Sequence, residues 1–198
     1  MEAKILRELI VEQRQDFDLQ EPFVEREILG EISDFVNLPH AVVVSGLRRS
    51  GKSTLLKQIR TRFYRDETVY YFNFDDDRLL EFEVDDFNRL FECFLELYGE
   101  GGIFFLDEIQ NIDGWERFIR RMYNKRYKFY ITGSNSSMLS KELGTRLTGR
   151  FIQAELYPFS FSEFLVYHGL KKPVNNVILA PERAQIRQAF SMYLKSGG

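Results

Sequence analysis

Residues 41–56 read AVVVSGLRRSGKSTLL, an apolar run followed by a loop bounded by glycines and then by an amphipathic stretch. The central eight residues, Gly46 to Ser53, fit the pattern GxxxxGK[ST] without a gap. Glycines let the backbone wrap closely around an anion, and the N–H groups that open the following helix point toward it. The charge of Lys52 and the hydroxyl of Ser53 complete a site for phosphate groups with a bound cation. This stretch therefore predicts a strand, a phosphate loop and a helix.

The phosphate loop supplies most of the predicted ligand contacts. We expect ATP to be held by Gly46, Leu47, Arg48, Arg49, Ser50, Gly51, Lys52, Ser53 and Thr54. The hydroxyl of Ser53 is also expected to be a ligand of Mg²⁺. With ordinary residue usage the pattern arises by chance in a chain of this length about one time in a hundred or less. An incidental glycine-rich turn is therefore the weaker interpretation.

Short apolar runs alternate with longer amphipathic stretches along most of the chain, a rhythm typical of βαβ units. The runs predict five strands, at residues 40–45, 68–74, 102–107, 127–134 and 151–156. Helices are predicted at 52–64, 84–98 and 113–125, and before the first strand at 2–14 and 23–36. Because the strands are too continuously apolar to have one exposed face, they predict a parallel sheet covered on both sides. The predicted fold class is α/β.

Composition and charge restrict the class of protein. The 198 residues are 44% hydrophobic with a formal net charge of −3, which suits one packed domain with appendages. This charge does not support a nucleic-acid partner, which would need a local patch; for the basic stretch at 117–128 a solvated helix face is the simpler interpretation. Cys93 is the single cysteine, and neither a signal sequence nor an apolar run of about 18 residues is evident. We therefore expect a cytoplasmic protein with no membrane contact.

A second polar site is predicted where the run IFFLDE, residues 103–108, ends in two adjacent carboxylates. At the carboxyl edge of a parallel sheet, Asp107 would face Mg²⁺ and Glu108 could orient and deprotonate an attacking water. One further strand, at 68–74, lies between this run and the phosphate loop in the sequence. Phosphate-loop enzymes with a catalytic glutamate have such an added strand, whereas kinases and GTPases commonly place the two strands side by side. The carboxylate pair and its spacing therefore favour hydrolysis.

Six sequence blocks resemble, in order and spacing, the AAA+ superfamily and specifically its archaeal and bacterial AAA+-like ATPases. They are GLRRSGKSTLL, YFNFDD, FFLDEIQNIDGWERF, ITGSNSSMLS, LTGRF and YPFSFSEFL, and the resemblance covers about residue 21 to the end of the chain. It implies a P-loop NTPase fold of AAA+ type, a five-stranded parallel sheet flanked by helices, with an N-terminal helical appendage. It also implies an ATPase that binds ATP and ADP and forms homo-oligomers.

The resemblance implies roles for residues around the γ-phosphate. Asn135, after the strand KFYITGS, resembles the sensor residue that contacts the γ-phosphate or the attacking water. Arg150, in LTGRF, lies where the superfamily carries its arginine finger, and Arg146 is the alternative. Asn73, at the end of VYYFN, resembles the polar partner that holds the catalytic glutamate away from water, although a simple strand-end cap fits equally well.

The resemblance also divides the chain into three parts. The N-terminal block of the superfamily lies near adenine, so Phe23 and Arg26 are candidate base contacts. The expected parts are a helical appendage at 1–20, a nucleotide-binding core at 21–158 and a helical segment at 159–198. Helical stretches at 160–169 and 181–195 look like the start of a lid that continues beyond SMYLKSGG.

Three functions from different classes remain open at this stage. The leading one is an ATPase that couples hydrolysis to remodelling or switching. The alternative is a slow nucleotide-gated switch or interaction module, similar to initiator-like or signal-transducing P-loop proteins. A small-molecule kinase is less compatible, because the carboxylate pair and the added strand suit the activation of water better than an acceptor hydroxyl.

Overall fold

The computed structural model describes residues 1–19, 21–134, 149–170 and 180–197. Its strands are β1 (Ala41–Ser45), β2 (Val69–Asn73), β3 (Ile103–Asp107), β4 (Lys128–Gly133) and β5 (Phe151–Glu155). Its α-helices are α1 (Ala3–Asp18), α2 (Leu29–Ser33), α3 (Lys52–Phe63), α4 (Asp86–Tyr98), α5 (Glu116–Asn124), α6 (Phe161–Tyr167) and α7 (Ala180–Ser196). Each of the five predicted strands is present, so the α/β fold class is confirmed.

The five strands form one parallel sheet in the order β2-β3-β4-β1-β5. Strand β4 therefore separates β1, which precedes the phosphate loop, from β3, which carries the carboxylate pair. The register aligns Ser45 with Gly133 and Leu106 with Ile131, so the ends of all three strands lie level at one edge. The topology brings the two predicted sites to the same edge of the sheet.

Both faces of the sheet are buried along β1 to β4, as the continuous apolar strands predict, whereas the edge strand β5 exposes Gln153 and Glu155. Because side chains alternate along a strand, Val43 packs into the cluster on one face while Val42 and Val44 pack into the cluster on the other. The first cluster is rich in aromatic rings; for example, Phe104 and Phe129 stack with ring centroids 5.0 Å apart. The site at the sheet edge is thus supported by well-packed strands.

Helix α1 packs on the sheet and lies against the edge strand β2. Its Leu6, Leu9 and Ile10 are fully buried in the aromatic cluster, and Phe17 stacks on Tyr71 on the other face with centroids 3.9 Å apart. The sequence predicts that residues 1–20 are an appendage to the nucleotide-binding core. That boundary stays a prediction, but the helix itself shares the core of the sheet.

Residues 23–36 were predicted to be helical, and this prediction is wrong for most of the stretch, since only Leu29–Ser33 form a helix. The physical reason lies in hydrogen bonds from outside the stretch. The N–H of Arg26 donates to Gln58 Oε1 at 3.0 Å, and the N–H of Glu27 donates to Glu163 Oε1 at 2.7 Å. These side chains occupy donors that a helix would otherwise use.

Helix α1 extends further than predicted, to Asp18 instead of residue 14. Its last turn gains an ion pair one helical turn apart, because Arg14 Nε lies 2.6 Å from Asp18 Oδ2. Within the described ranges, no helix has the length and apolar content needed to cross a membrane.

Candidate nucleotide-binding site

The phosphate loop runs from the end of β1 to the start of α3 and depends on its glycines. Gly51 has φ 92°, a left-handed conformation that glycine adopts without strain. At Gly46 a Cβ atom would lie 2.3 Å from the carbonyl oxygen of Leu156, which follows β5. Any side chain at this position would therefore push the loop away from the sheet.

Lys52 lies inside the loop and is only 4% exposed. Its Nζ donates to the carbonyl oxygens of Gly46 at 3.3 Å and Leu47 at 3.2 Å. The same atom lies 3.2 Å from Glu108 Oε1. The fold therefore brings the predicted phosphate-binding lysine and the predicted catalytic carboxylate into one ion pair.

Asp107 ends β3 and is fully buried. Its Oδ1 accepts a hydrogen bond from the hydroxyl of Thr132 on β4, whereas Oδ2 has no hydrogen-bond partner among the described residues. Burial raises the pKa of Asp107, although the nearby hydroxyls of Ser53 and Thr132 oppose the rise. A buried carboxylate oxygen without a partner beside an exposed serine hydroxyl is a donor set that fits Mg²⁺, which prefers hard oxygen ligands.

Glu108 follows in a left-handed conformation, with φ 51° and ψ 41°, which is uncommon for a residue with a side chain. Its N–H donates to Thr132 Oγ1 at 3.0 Å. Its Oε2 accepts two hydrogen bonds, from Gln110 Nε2 at 2.6 Å and from the N–H of Ser134 at 3.1 Å. Burial raises the pKa of Glu108, but the hydrogen bond from Gln110 and the charge of Lys52 outweigh it, and the pKa lies below its ordinary value.

Arg26, a candidate base contact, lies beneath the phosphate loop and is 5% exposed. Its Nη1 donates to Ser50 O at 2.8 Å, its Nη2 to Tyr157 O at 2.6 Å, and its Nε to Glu163 Oε1 at 3.0 Å. These bonds tie the loop to the segment after β5 and to the first turn of α6. The geometry describes a clamp on the phosphate loop, and a direct contact between Arg26 and a base stays a prediction.

A cavity of about 560 Å³ opens beside Gly51 and Thr54. Phe23, the other candidate base contact, is 44% exposed and forms part of its wall. The remaining apolar wall consists of Pro22, Val24, Phe159, Val166 and Tyr167. A flat aromatic base would find apolar surfaces here next to the phosphate loop.

Asn73 lies at the carboxyl end of β2, level with Asp107 in the register. Its side-chain Oδ1 accepts a hydrogen bond from the N–H of Asp75 at 2.9 Å, which is the geometry of a strand-end cap. Its role as a partner of the catalytic glutamate stays a prediction. Asn135 and Arg146 lie outside the described residues.

Arg150 lies at the opposite edge of the sheet, immediately before β5. Its carbonyl oxygen accepts the N–H of Ala41 at 2.9 Å, and its guanidinium lies 5.9 Å from the ring centroid of Tyr123. The five residues of β1 separate this edge from the phosphate loop by roughly 16 Å, at about 3.3 Å per residue. Arg150 therefore lies far from the phosphate loop of its own chain.

Four contributors to the site were not identified from the sequence. Thr132 joins the carboxylate of Asp107 to the backbone N–H of Glu108, Gln110 and Ser134 bind the Glu108 carboxylate, and Glu163 anchors Arg26. A polar residue at the end of β4 was a possible signal for Thr132, since parallel strands end at one edge. Gln110 lies within the block FFLDEIQ, but nothing in the letters indicates where its side chain points.

The fold and the site together define the class of protein. A parallel sheet with a glycine-bounded phosphate loop after β1 and a buried aspartate at the end of β3, with β4 between the two strands, is the architecture of a P-loop nucleoside triphosphatase domain. A family described as AAA domain matches residues 39–165, and the chain belongs to this family of P-loop ATPase domains.

Two relatives have no established function. An uncharacterized protein of Methanocaldococcus jannaschii is 32% identical over 201 residues, covering 100% of this chain and 43% of the relative. An uncharacterized protein of Haemophilus influenzae is 34% identical over 155 residues, covering 74% of this chain and 37% of the relative. The chain therefore spans less than half the length of these relatives.

Solved structures that resemble this chain include two DnaA proteins. Domain III of the Thermotoga maritima replication initiation protein DnaA has a TM-score of 0.49 and 17% identity, with 88% of each chain covered. AMPPCP-bound DnaA from Aquifex aeolicus has a TM-score of 0.49 and 15% identity, covering 91% of this chain and 64% of the other.

Proposed function

We propose that this chain binds ATP with Mg²⁺ and hydrolyses it to ADP and phosphate. One observation carries the proposal: Lys52 Nζ lies 3.2 Å from Glu108 Oε1, at the edge where Asp107 has a buried oxygen without a partner among the described residues. A phosphate-binding cation, a metal-binding oxygen and a carboxylate able to accept a proton therefore meet in one place. The cation comes from the phosphate loop and the two carboxylates come from the end of β3.

Binding uses the phosphate loop and the adjoining cavity. The N–H groups of the loop and of the first turn of α3 would receive the phosphates, and Lys52 would exchange its two carbonyl partners and Glu108 for phosphate oxygens. This exchange is favourable because phosphate oxygens carry more charge than carbonyl oxygens. The base would then lie between Phe23 and the apolar residues that follow β5.

Ser53 and Asp107 are the residues that would hold Mg²⁺. When bound, the ion neutralises charge that accumulates on the phosphate oxygens. The Asp107 carboxylate is kept in place by Thr132 on the neighbouring strand. It needs no rearrangement to present its second oxygen.

Hydrolysis uses Glu108 as the base. Its carboxylate takes a proton from a water molecule, the water oxygen bonds to the γ-phosphorus, and the bond from that phosphorus to the bridging oxygen breaks, so that the bond electrons leave with ADP. Lys52 and the loop N–H groups then stabilise the negative charge on the leaving phosphate groups. Asn135 is proposed to orient the water or contact the γ-phosphate.

The proposal extends to assembly, because Arg150 lies too far from its own phosphate loop to act there. We propose that its guanidinium completes the site of a neighbouring copy of the chain in a homo-oligomer. A guanidinium in that position would stabilise charge on the transferred phosphoryl group.

A second candidate function is a nucleotide-gated switch with slow turnover. The observation in its favour is the ion pair between Lys52 and Glu108, which phosphate binding would break. Occupancy of the site would then change the position of Glu108 and of the residues that contact it. The two functions differ in rate, since both need nucleotide but only the first needs frequent hydrolysis.

The test is the release of phosphate from γ-labelled ATP with Mg²⁺, in wild type and in Glu108→Gln. The amide keeps the size of the side chain but cannot take a proton, so hydrolysis should fall by about a hundredfold to ten-thousandfold. Calorimetry should show unchanged ATP affinity in the same variant. Wild-type turnover in Glu108→Gln would contradict the role of Glu108, and label transferred to a small acceptor would indicate a kinase.

A further inference from the structure

Gln110 binds the carboxylate of Glu108 through a contact that the sequence pattern does not predict. The left-handed turn at Glu108 leads into a short 3-10 helix, Ile109–Asn111, and this turn directs the Gln110 side chain back onto the carboxylate. Nε2 of Gln110 lies 2.6 Å from Glu108 Oε2. The same amide group lies 3.4 Å from Ser134 Oγ and 3.4 Å from Asn111 Oδ1, both longer contacts.

The two oxygens of Glu108 have different partners. Oε2 accepts from Gln110 Nε2 and from the N–H of Ser134, and neither donor belongs to the phosphate loop. Oε1 faces Lys52, the cation that the phosphates would attract. Once Lys52 turns to phosphate, Oε2 would remain held and Oε1 would be the oxygen left facing the site.

The amide orientation of Gln110 is fixed by this contact. Its Oε1 is buried without a hydrogen-bond partner among the described residues, an arrangement that proteins seldom tolerate. Turning the amide would place its oxygen against the Glu108 carboxylate, where two acceptors repel each other. Gln110 Nε2 therefore keeps its bond to Glu108, while Gln110 Oε1 has no hydrogen-bond partner among the described residues.

We propose that Gln110 is the positioning residue for the catalytic carboxylate, and that it holds one oxygen of Glu108 so that the other receives the proton of the attacking water. The inference rests on the proposed function, in which Glu108 is the base. Gln110 does not contact the nucleotide in this proposal and acts only through Glu108. Its loss should therefore lower kcat without changing the affinity for ATP.

The experiment compares Gln110→Ala and Gln110→Glu with wild type, using steady-state phosphate release and calorimetric ATP binding. A misplaced catalytic group costs up to about a hundredfold, so we expect kcat to fall by about tenfold to a hundredfold with an unchanged dissociation constant. Gln110→Glu should be at least as damaging as Gln110→Ala, because a carboxylate keeps the size of the side chain but has no N–H to donate and repels Glu108. A smaller loss in Gln110→Glu than in Gln110→Ala would overturn the proposal.

Asn111→Ala is the matched control. Asn111 lies in the same short helix and donates to Phe74 O at 3.1 Å, so its loss disturbs the loop without removing a bond to Glu108. We expect wild-type kcat in this variant, and thermal unfolding shows whether each variant is folded. An equal fall of kcat in Asn111→Ala and Gln110→Ala would overturn the proposal, since a general loosening of the loop would then explain both.

A double variant separates this inference from the proposed function. Because Gln110 acts through Glu108, adding Gln110→Ala to Glu108→Gln should reduce the residual rate no further. Multiplying losses would overturn the positioning role while leaving Glu108 as the base. Full activity in Glu108→Gln alone would instead overturn the proposed function.

Discussion

Two lysines lie at opposite edges of the same sheet and differ in their partners; Lys52 is buried and Lys128 is half-buried. Lys52, at the carboxyl edge, makes long contacts of 3.3 and 3.2 Å with loop carbonyls and pairs with Glu108 at 3.2 Å. Lys128, at the amino edge, donates to the carbonyls of Phe35, Leu38 and His40 at 2.7, 2.8 and 2.9 Å. The first lysine has partners that an anion can replace, whereas the second joins the segment before β1 to β4.

The comparison shows that burial alone does not identify a functional cation. What distinguishes Lys52 is a set of partners that includes a carboxylate beside the carbonyls of the phosphate loop. Lys128 donates to backbone oxygens of the connection between α2 and β1, and burial lowers its pKa to about 8. If ligands bind at the carboxyl edge while the amino edge serves contacts and stability, substitutions at the two edges should have different effects.

The largest effect is expected at Arg150, the other cation of the amino edge. If Arg150 completes the site of a neighbouring copy, Arg150→Ala should bind ATP normally and hydrolyse it about a thousandfold to a hundred-thousandfold more slowly. Specific activity of wild type should rise with protein concentration. Phosphate release and calorimetry measure both quantities.

Mixing Arg150→Ala with Lys52→Ala provides the control. The first variant contributes an intact phosphate loop and the second an intact arginine, so a shared interface should restore part of the activity. Activity that is independent of concentration, together with no recovery in the mixture, would restrict Arg150 to its contact with Tyr123.

A smaller effect is expected at the carboxyl edge when Lys52→Ala is tested for binding. The variant loses charge-assisted bonds to two phosphates, each worth about 1.5 to 3 kcal/mol, so ATP affinity should fall by at least about a hundredfold. Lys128→Met, which removes the half-buried cation of the other edge, should keep wild-type affinity in the same calorimetric titration. Equal losses in the two variants would remove the distinction between the edges.

The smallest effect concerns stability and pH. Lys128 has a folded pKa of about 8, below the 10.5 of a free lysine, so the folded state loses its proton first as pH rises. The cost of burying the charge is fully present below about pH 8 and disappears between pH 8 and 10.5. Relative to Lys128→Met, wild type should therefore gain on the order of 1 kcal/mol of unfolding free energy between pH 7 and pH 9.5.

Urea unfolding of both proteins at the two pH values measures this difference. Comparing them cancels the contribution of buried tyrosines such as Tyr130, whose pKa is raised by burial. If the unfolding free energy of wild type fell relative to that of Lys128→Met as pH rises, the expected direction would be wrong. The three carbonyls would then stabilise the ammonium more than burial destabilises it.

The strands and the phosphate loop could be predicted because each depends on neighbours in sequence. Continuous apolar runs give strands, and the spacing from Gly46 to Ser53 gives the loop. The stretch at 23–36 could not be predicted, because its N–H groups bond to Gln58 and Glu163, and Glu163 comes from a distant part of the chain.

Prediction of the site from the sequence has the same limit, because some contacts depend on residues distant in the chain. Sequence patterns predict Lys52, Asp107 and Glu108 as residues of the site. The clamp formed by Arg26 depends on the distant Glu163. The contact between Gln110 and Glu108 depends on the left-handed backbone conformation of Glu108. The sequence offered Asn73 as the partner of Glu108, whereas the described contacts of the Glu108 carboxylate come from Lys52, Gln110 and Ser134. Side-chain direction after a tight turn is a property of backbone conformation, which composition and spacing do not encode.

Helix α1 has a consequence for how the sheet meets other chains. Gln13 bonds to both the N–H and the carbonyl of Asn73, at 2.9 and 3.1 Å, and Arg14 Nη1 donates to Val69 O at 2.7 Å. Two side chains thus occupy backbone groups at both ends of β2, the edge strand that lies against this helix. An uncovered strand of this kind is a template for intermolecular β-pairing and aggregation. Helix α1 therefore blocks the edge at which this aromatic-rich sheet could pair with a strand of a neighbouring molecule.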